Sequence, residues 1–295
     1  MFSSLRAAVL VFFSISTGLG QGSYELNPGS VACLAKFFRP ASAPKVSESG
    51  ESYEIVRCSK PTKELCDVAA GIQTKNYAGV RCLVNAGFDF NVENGFLILR
   101  AAYHDAEMLA LLFLSSSRLD LEASDNEGNT ILAQIVPKFR PGPLIDRRKF
   151  SWENVFESAE LLLRNGSNPN SAAKNGATPL MFSATAGEAK LVQLLLRHGA
   201  DPNLQSSDGR TALMVAYDDP ATLNVLLSTR PNIYLKDQNG KSAIFYAIEK
   251  CQFNKAKLLL AKDQKIAQTK DSVGKIPVDY LPKSSDCSSI KKLLR

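Results

Sequence analysis

Histidine and tryptophan are almost missing: the 295 residues hold two of the first and one of the second. That scarcity leaves little for histidine-based proton transfer or for a histidine-rich metal centre. No internal stretch is apolar over the roughly 20 residues that a bilayer-spanning helix needs. No long block of one charge occurs either. Lys and Arg number 35 against 29 Asp and Glu, a net charge of +6, so nucleic acid is not the default partner. No Gly-x-Ser-x-Gly elbow is found. Gly240-Lys241-Ser242 imitates the end of a phosphate-binding loop, but Leu235 stands where the earlier glycine is required. The one close His–acid pair, His104-Asp105, falls where a helix turns toward its neighbour, a solvent-facing place with a surface role. These absences argue against an enzyme, a cofactor and a metal. What is present, 45% hydrophobic and 22% charged residues, suits a chain that folds around a core.

The start of the chain reads as an address. Arg6 precedes a short apolar run, Ala7 to Phe13 and Ile15, and the small residues Gly18 and Gly20 suit a cut before Gln21. Residues 1–20 are thus expected to be a secretory signal peptide, with a buried N-terminal helix as the competing reading. The mature chain is expected in the periplasm or outside the cell, off the membrane once cleaved. Its six cysteines then allow up to three disulfides in 15 possible arrangements. Cys251–Cys287 is the favoured pair. Among Cys33, Cys58, Cys66 and Cys82 the pairing is open, and Cys82 also suits a free buried thiol. Their spacing fits no zinc pattern. Residues 21–60, with Pro40-Ala41-Ser42-Ala43-Pro44, look like an extended strap. A Cys33–Cys58 bridge would tether it.

From about residue 61 the chain repeats. Asn175-Gly176-Ala177-Thr178-Pro179-Leu180 is followed by Ser183-Ala184, Leu191-Val192, Leu194-Leu195 and Gly199-Ala200-Asp201-Pro202-Asn203. Related copies place glycines at 95, 128, 209, 240 and 274, spaced 31 to 48 residues apart. Each part has a physical role. Glycine accepts the positive φ of a tight turn. Thr178 can cap a helix that opens on Pro179, which has no amide proton to satisfy. The leucines recur at helical spacing on one face. Gly199 can end the second helix in a left-handed cap.

This pattern resembles the ankyrin repeat. The resemblance implies an all-α solenoid of about seven helix-pair units over 61–295, joined by short turns or hairpins, with degenerate end units. Two departures stand out. The histidine usual after Thr-Pro-Leu is replaced by Arg100, Ala133, Met181, Met214 and Phe245. The unit at 209 is short, with Asp218-Asp219-Pro220 in place of a glycine turn. A third irregularity is an insertion at about 137–152.

Such arrays bind proteins along hairpin tips and first helices, so the expected partner is a protein and the chain alone is expected to be a monomer. Candidate contacts are His104, Phe182, Tyr246, Asp208 and Asn239. The insertion adds Phe139, Arg140, Arg147, Arg148, Phe150 and Trp152, an aromatic and basic set suited to an acidic cleft; folding of Phe150 and Trp152 back onto a helix is the alternative. Some exported bacterial ankyrin proteins protect their producer from peptidoglycan-cutting peptidases or other toxins. By that likeness the partner is an exported hydrolase or toxin, with a secreted effector bound to a host protein as the alternative. Deleting residues 138–150 is expected to leave helicity by circular dichroism intact and to weaken partner binding; unchanged affinity would clear the insertion of that role.

Overall fold

A computed structural model describes residues 30, 32–34, 68–69, 71–72, 74–114, 118–136, 151–282 and 287–293. The expected signal peptide, most of the strap, Cys58, Cys66, and Phe139, Arg140, Arg147, Arg148 and Phe150 of the insertion lie outside them.

The described chain is helical, with one isolated bridge, Ser124 to Thr130, and no strand. Helix pairs follow one another: α1 (Tyr77–Asn85) after helical residues 68–69 and 71–72, then α2 (Val92–His104) with α3 (Ala106–Leu112), and α4 (Ile131–Gln134) with α5 (Trp152–Arg164). They continue as α6 (Pro179–Ala186) with α7 (Ala189–Arg197), α8 (Ala212–Val215) with α9 (Pro220–Ser228), and α10 (Ala243–Glu249) with α11 (Phe253–Lys262). The last pair is a 3₁₀ turn (Pro277–Tyr280) and α12 (Ser288–Leu293). First helices pack on first helices, α4 on α6, α6 on α8, α8 on α10 and α10 on the Pro277–Tyr280 turn. Second helices stack alongside, α1 through α12. The result is the all-α repeat solenoid that the sequence implied.

Local rules act as expected in the best unit. Thr178 Oγ1 accepts from Met181 N at 3.4 Å, Pro179 opens α6, and Gly187 closes it at φ 72°. Gly199, at φ 88°, ends α7 while Ala200 N donates to Leu195 O. Ser183 and Ala184 are fully buried, which lets α6 lie close to its neighbours. The histidine positions hold packing groups instead: Met181, Met214 and Phe245 are at most 4% exposed. Part of the turn's rigidity comes from aspartates. Asp125, Asp237 and Asp271 each accept from two backbone amides of their own hairpin.

The disulfides sit toward the two ends. Cys251 pairs with Cys287, Cα atoms 5.3 Å apart, and ties α11's entry to the last unit. Cys33 pairs with Cys82 of α1. The free-thiol reading of Cys82 and the Cys33–Cys58 loop are therefore both corrected. A chain entering beside α1 brings Cys33 to that helix, a proximity that residue spacing does not encode.

Where a unit lacks a glycine turn, the next unit repairs it. Asn154, third in α5, donates to Ala102 O and Tyr103 O and accepts from Ala106 N at 2.7 Å. Lys255, third in α11, donates through Nζ to Met214 O at 2.8 Å and Ala216 O at 3.1 Å. Both reach the frayed end of the preceding unit's first helix, whose last carbonyls have no helical partner. Where a left-handed residue closes the loop, as at Lys75, Gly187 and Cys251, the equivalent third residue is Met108, Thr222 or Ile290. The frayed end beside the short α8 thus explains a lysine that is 1% exposed. Burial first, and then the charge of Lys250, lower its amine to about 7, with Asp218 opposing.

Unfolded, that amine ionises near 10.5. Between the two values the unfolded chain carries a proton the folded chain lacks, so stability rises with pH; below about 7 the contribution is flat and least favourable. Urea unfolding of wild type and Lys255→Met should therefore diverge from pH 7 to 10, wild type gaining up to about 1.4 kcal/mol per pH unit over the variant. Parallel curves would show that Lys255 does not titrate there.

Candidate protein-binding surface

The hairpins form a continuous ladder along one edge of the stack. Lys174 N donates to Glu127 O at 2.8 Å, Ser207 N to Asn175 O at 2.8 Å, Gln238 N to Asp208 O at 3.1 Å and Ser272 N to Asn239 O at 3.0 Å. Each hairpin closes on itself as well, as in Ser206 N to Arg210 O and Asp237 N to Lys241 O, both 2.9 Å. The tips are thereby held at fixed spacing, and Asn239 and Gln238 are exposed on them.

Beside the tips runs a polar and aromatic row on the first helices. The residue six past each tip glycine from Gly128 onward occupies one register: Gln134, Phe182, Val215, Tyr246 and Tyr280. Tyr246 is only 8% exposed. Its hydroxyl donates to Asp237 Oδ2 at 2.5 Å and accepts from Arg210 Nε at 3.0 Å, and the Arg210 guanidinium lies 5.4 Å from its ring centre. Burial first, then the bond to Asp237, push that hydroxyl up to about 12. Arg210 also pairs with Asp208 at 2.9 Å.

The next unit repeats the arrangement. Tyr280 donates to Asp271, and Lys241 Nζ sits 4.0 Å from its ring centre. The bond to Asp271, then burial, carry the Tyr280 hydroxyl to about 12, and the same bond holds the Asp271 carboxyl below its ordinary range. Lys241 pairs with Glu249. A basic residue directly after the tip glycine therefore covers the tyrosine of the following unit, twice. At neutral pH both phenols stay protonated donors.

The other end differs. Phe96, Leu99, Arg100, Tyr103 and Gln134 line a shallow groove of about 310 Å³, with the Arg100 guanidinium 5.2 Å from the Phe96 ring centre. Tyr103 is 46% exposed.

The expected contact residues are distributed unevenly over this surface. Asn239 stands exposed at a tip, and Asp208, half-exposed, is committed to Arg210 and Ser206. Phe182 is half-buried and packs on the core. Tyr246 is not an exposed anchor, because its ring closes the gap between units and its hydroxyl serves Asp237. Trp152 opens α5 and is half-buried against the core; Phe150, its companion in the fold-back alternative, lies outside the described residues. His104 ends α2. Its neighbour Asp105 is 6% exposed, which corrects the solvent-facing reading. Burial opposes its ionisation, but bonds from Lys75, Tyr77 and Glu107 N outweigh it and lower its pKa. Its carboxylate caps α3 and joins two units, a task invisible in a His-Asp dipeptide. Arg210, Lys241 and Tyr280 were not singled out as contacts. The signal that could have found them is the pairing of a basic residue after one tip glycine with a tyrosine six past the next.

Among the described residues no cluster of His, Cys, Asp and Glu could hold a metal ion, and no helix is long and apolar enough to cross a membrane.

Replacing Tyr246 by Phe removes the hydroxyl that bonds buried Asp237 and should lower stability by roughly 1–2 kcal/mol. Thermal unfolding should show the midpoint falling by several degrees, with helicity below the transition unchanged. A midpoint equal to wild type would mean that Arg210 satisfies Asp237 by itself.

A family model of ankyrin repeats, three copies, matches residues 151–237, the stretch from α5 to the Asp237 hairpin. No curated protein matches the chain. Ankyrin repeats indicate a protein–protein interaction module, and the family is generally a non-enzymatic one.

Proposed function

We propose that this chain works in the periplasm as a non-enzymatic protein that binds and inhibits an exported enzyme, protecting its producer, with a peptidoglycan peptidase as the target class. The observation that carries the binding role is the hairpin ladder: amide bonds between successive hairpins, from Glu127 to Ser272, hold the tips in a rigid row. A preformed wall loses little conformational freedom on docking. It can cover a cleft without supplying chemistry of its own.

The compartment rests on two supports. One is the apolar N-terminal run after Arg6. The other is the pair of disulfides, Cys33–Cys82 and Cys251–Cys287, which persist in oxidising surroundings and are rare in the cytosol. The step from binding to inhibition rests on likeness to exported ankyrin proteins of that kind, an argument from analogy.

Crosslinking of the tagged full chain in intact cells, followed by identification of periplasmic partners, tests the reading. The expected result is one exported hydrolase, whose cell-wall cleavage the purified chain suppresses. Recovery of cytosolic proteins alone, or of a hydrolase whose activity is unaffected, would remove the inhibitor role. Finding the chain in the medium bound to a host protein would favour the effector instead.

A further inference from the structure

We propose that the C-terminal end of the array receives an acidic face of its protein partner, with Lys236, Lys241, Lys270 and Lys275, which flank its last two hairpins beside Tyr280, as the contact set. The inference deepens the binding role proposed above and rests on it.

Charge is unevenly divided along the chain. Residues 236–295 hold thirteen Lys and Arg against six Asp and Glu, while residues 1–235 hold 22 against 23. The whole positive excess therefore belongs to the last units. Folding sharpens the division, because the described acids of this stretch turn to the chain's own donors. Asp237 and Asp271 are 7% and 9% exposed and accept from hairpin amides and tyrosine hydroxyls. Asp263 accepts from Lys265 N and Tyr234 Oη, and Asp279 from Ile276 N. Glu249 pairs with Lys241. A carboxylate bonded within its own hairpin offers less charge to a partner, whereas Lys236, Lys270 and Lys275 are exposed.

Four of those lysines flank two adjoining hairpins, Lys236 and Lys241 one, Lys270 and Lys275 the next. Lys236 Nζ donates to Lys270 O at 2.8 Å, which joins neighbouring tips. Lys241 and Lys275 hold their ammoniums 4.0 and 5.5 Å from one ring centre, that of Tyr280. Lys236, Lys270 and Lys275 are exposed and meet no carboxylate among the described residues. The Lys241 and Lys275 ammoniums face one ring and repel each other, and a partner carboxylate relieves that repulsion. Tyr280 adds an aromatic surface of the kind that anchors interfaces.

A protein is favoured over a phosphate polymer or an anionic membrane. The cluster is lysine throughout, without the guanidinium forks that fit phosphate in two-bonded fashion. Half-buried Tyr280 between two ammoniums adds an aromatic contact, which suits another folded protein more than a bare phosphate polymer.

The test uses the full chain with its disulfides intact and, as probe, a Glu-rich peptide with interspersed Tyr. One variant carries Lys236→Glu, Lys270→Glu and Lys275→Glu. A control with the same change in net charge carries Lys174→Glu, Lys190→Glu and Arg197→Glu, all exposed sites away from the cluster. Lys→Gln versions of the first set guard against misfolding, and circular dichroism checks each. Wild type should bind the peptide, more weakly as salt rises. The cluster variant should lose at least ~10-fold in affinity, while the control stays within about twofold. The Gln set should fall between the two. Equal losses in cluster and control variants would reduce the effect to net charge and overturn the proposal. No binding at low salt would also overturn it, as would stronger retention on duplex DNA or on phosphatidylglycerol vesicles. A chain that captures its periplasmic partner yet ignores the peptide loses the acidic partner and keeps the binding role.

Discussion

The close approach of one hairpin to the next is the contact on which the rest of the array depends. At Gly240 an added Cβ would stand 2.5 Å from Ser272 N, closer than any side chain tolerates, and the backbone there has φ 73°. Glycine meets both demands with one atom fewer. Because the approach is that close, Ser272 N can reach Asn239 O, and the same amide bond recurs down the ladder. Helix pairs that could not bury an apolar face alone then share one continuous core, from Val68 to Ile290. Stability in such a stack is the sum of many neighbour contacts, so each irregular unit needs its own local remedy.

Two remedies are visible, and they follow one rule. A first helix that ends without a left-handed residue leaves carbonyls facing the next unit. Asn154 and Lys255 answer that need from the same position of the following second helix. The lysine is the costlier answer. Its ammonium gives up water, and its bonds to two carbonyls and Gln252 Oε1 return only part of that loss. Removing it outright would strand the carbonyls instead, and an unpaired buried acceptor costs about as much as a hydrogen bond.

The same economy of hydrogen bonds shapes the outer surface. Aspartates at the third position before a tip glycine take up the amides of their hairpin, and in the last two units also a tyrosine hydroxyl. That withdraws negative charge from the tips and leaves lysines to define the end of the array. Arg210 over Tyr246 and Lys241 over Tyr280 are two steps of one register, in which each cation bridges its own hairpin to the next unit's first helix. The proposed binding surface and the inter-unit glue thus draw on the same residues. For that reason Tyr246 serves stability where an exposed anchor was expected.

Helix class, repeat register and turn positions were legible in the residues alone, because each depends on contacts within a few positions: glycine after Asn or Asp, Thr before Pro, leucine at helical spacing. The Cys251–Cys287 pair was legible too, being what remains near one end. What only the folded chain decided are the meetings of residues about one repeat or more apart. Cys33 with Cys82, Lys255 with the end of α8, Asp105 with Tyr77 and Lys75, and Arg210 with Tyr246 all cross between neighbouring units or from the chain's start to the first. Linear spacing carries the period of the stack, but not which polar atoms each junction leaves wanting. That depends on where each helix happens to fray, and so on the three-dimensional course of the backbone.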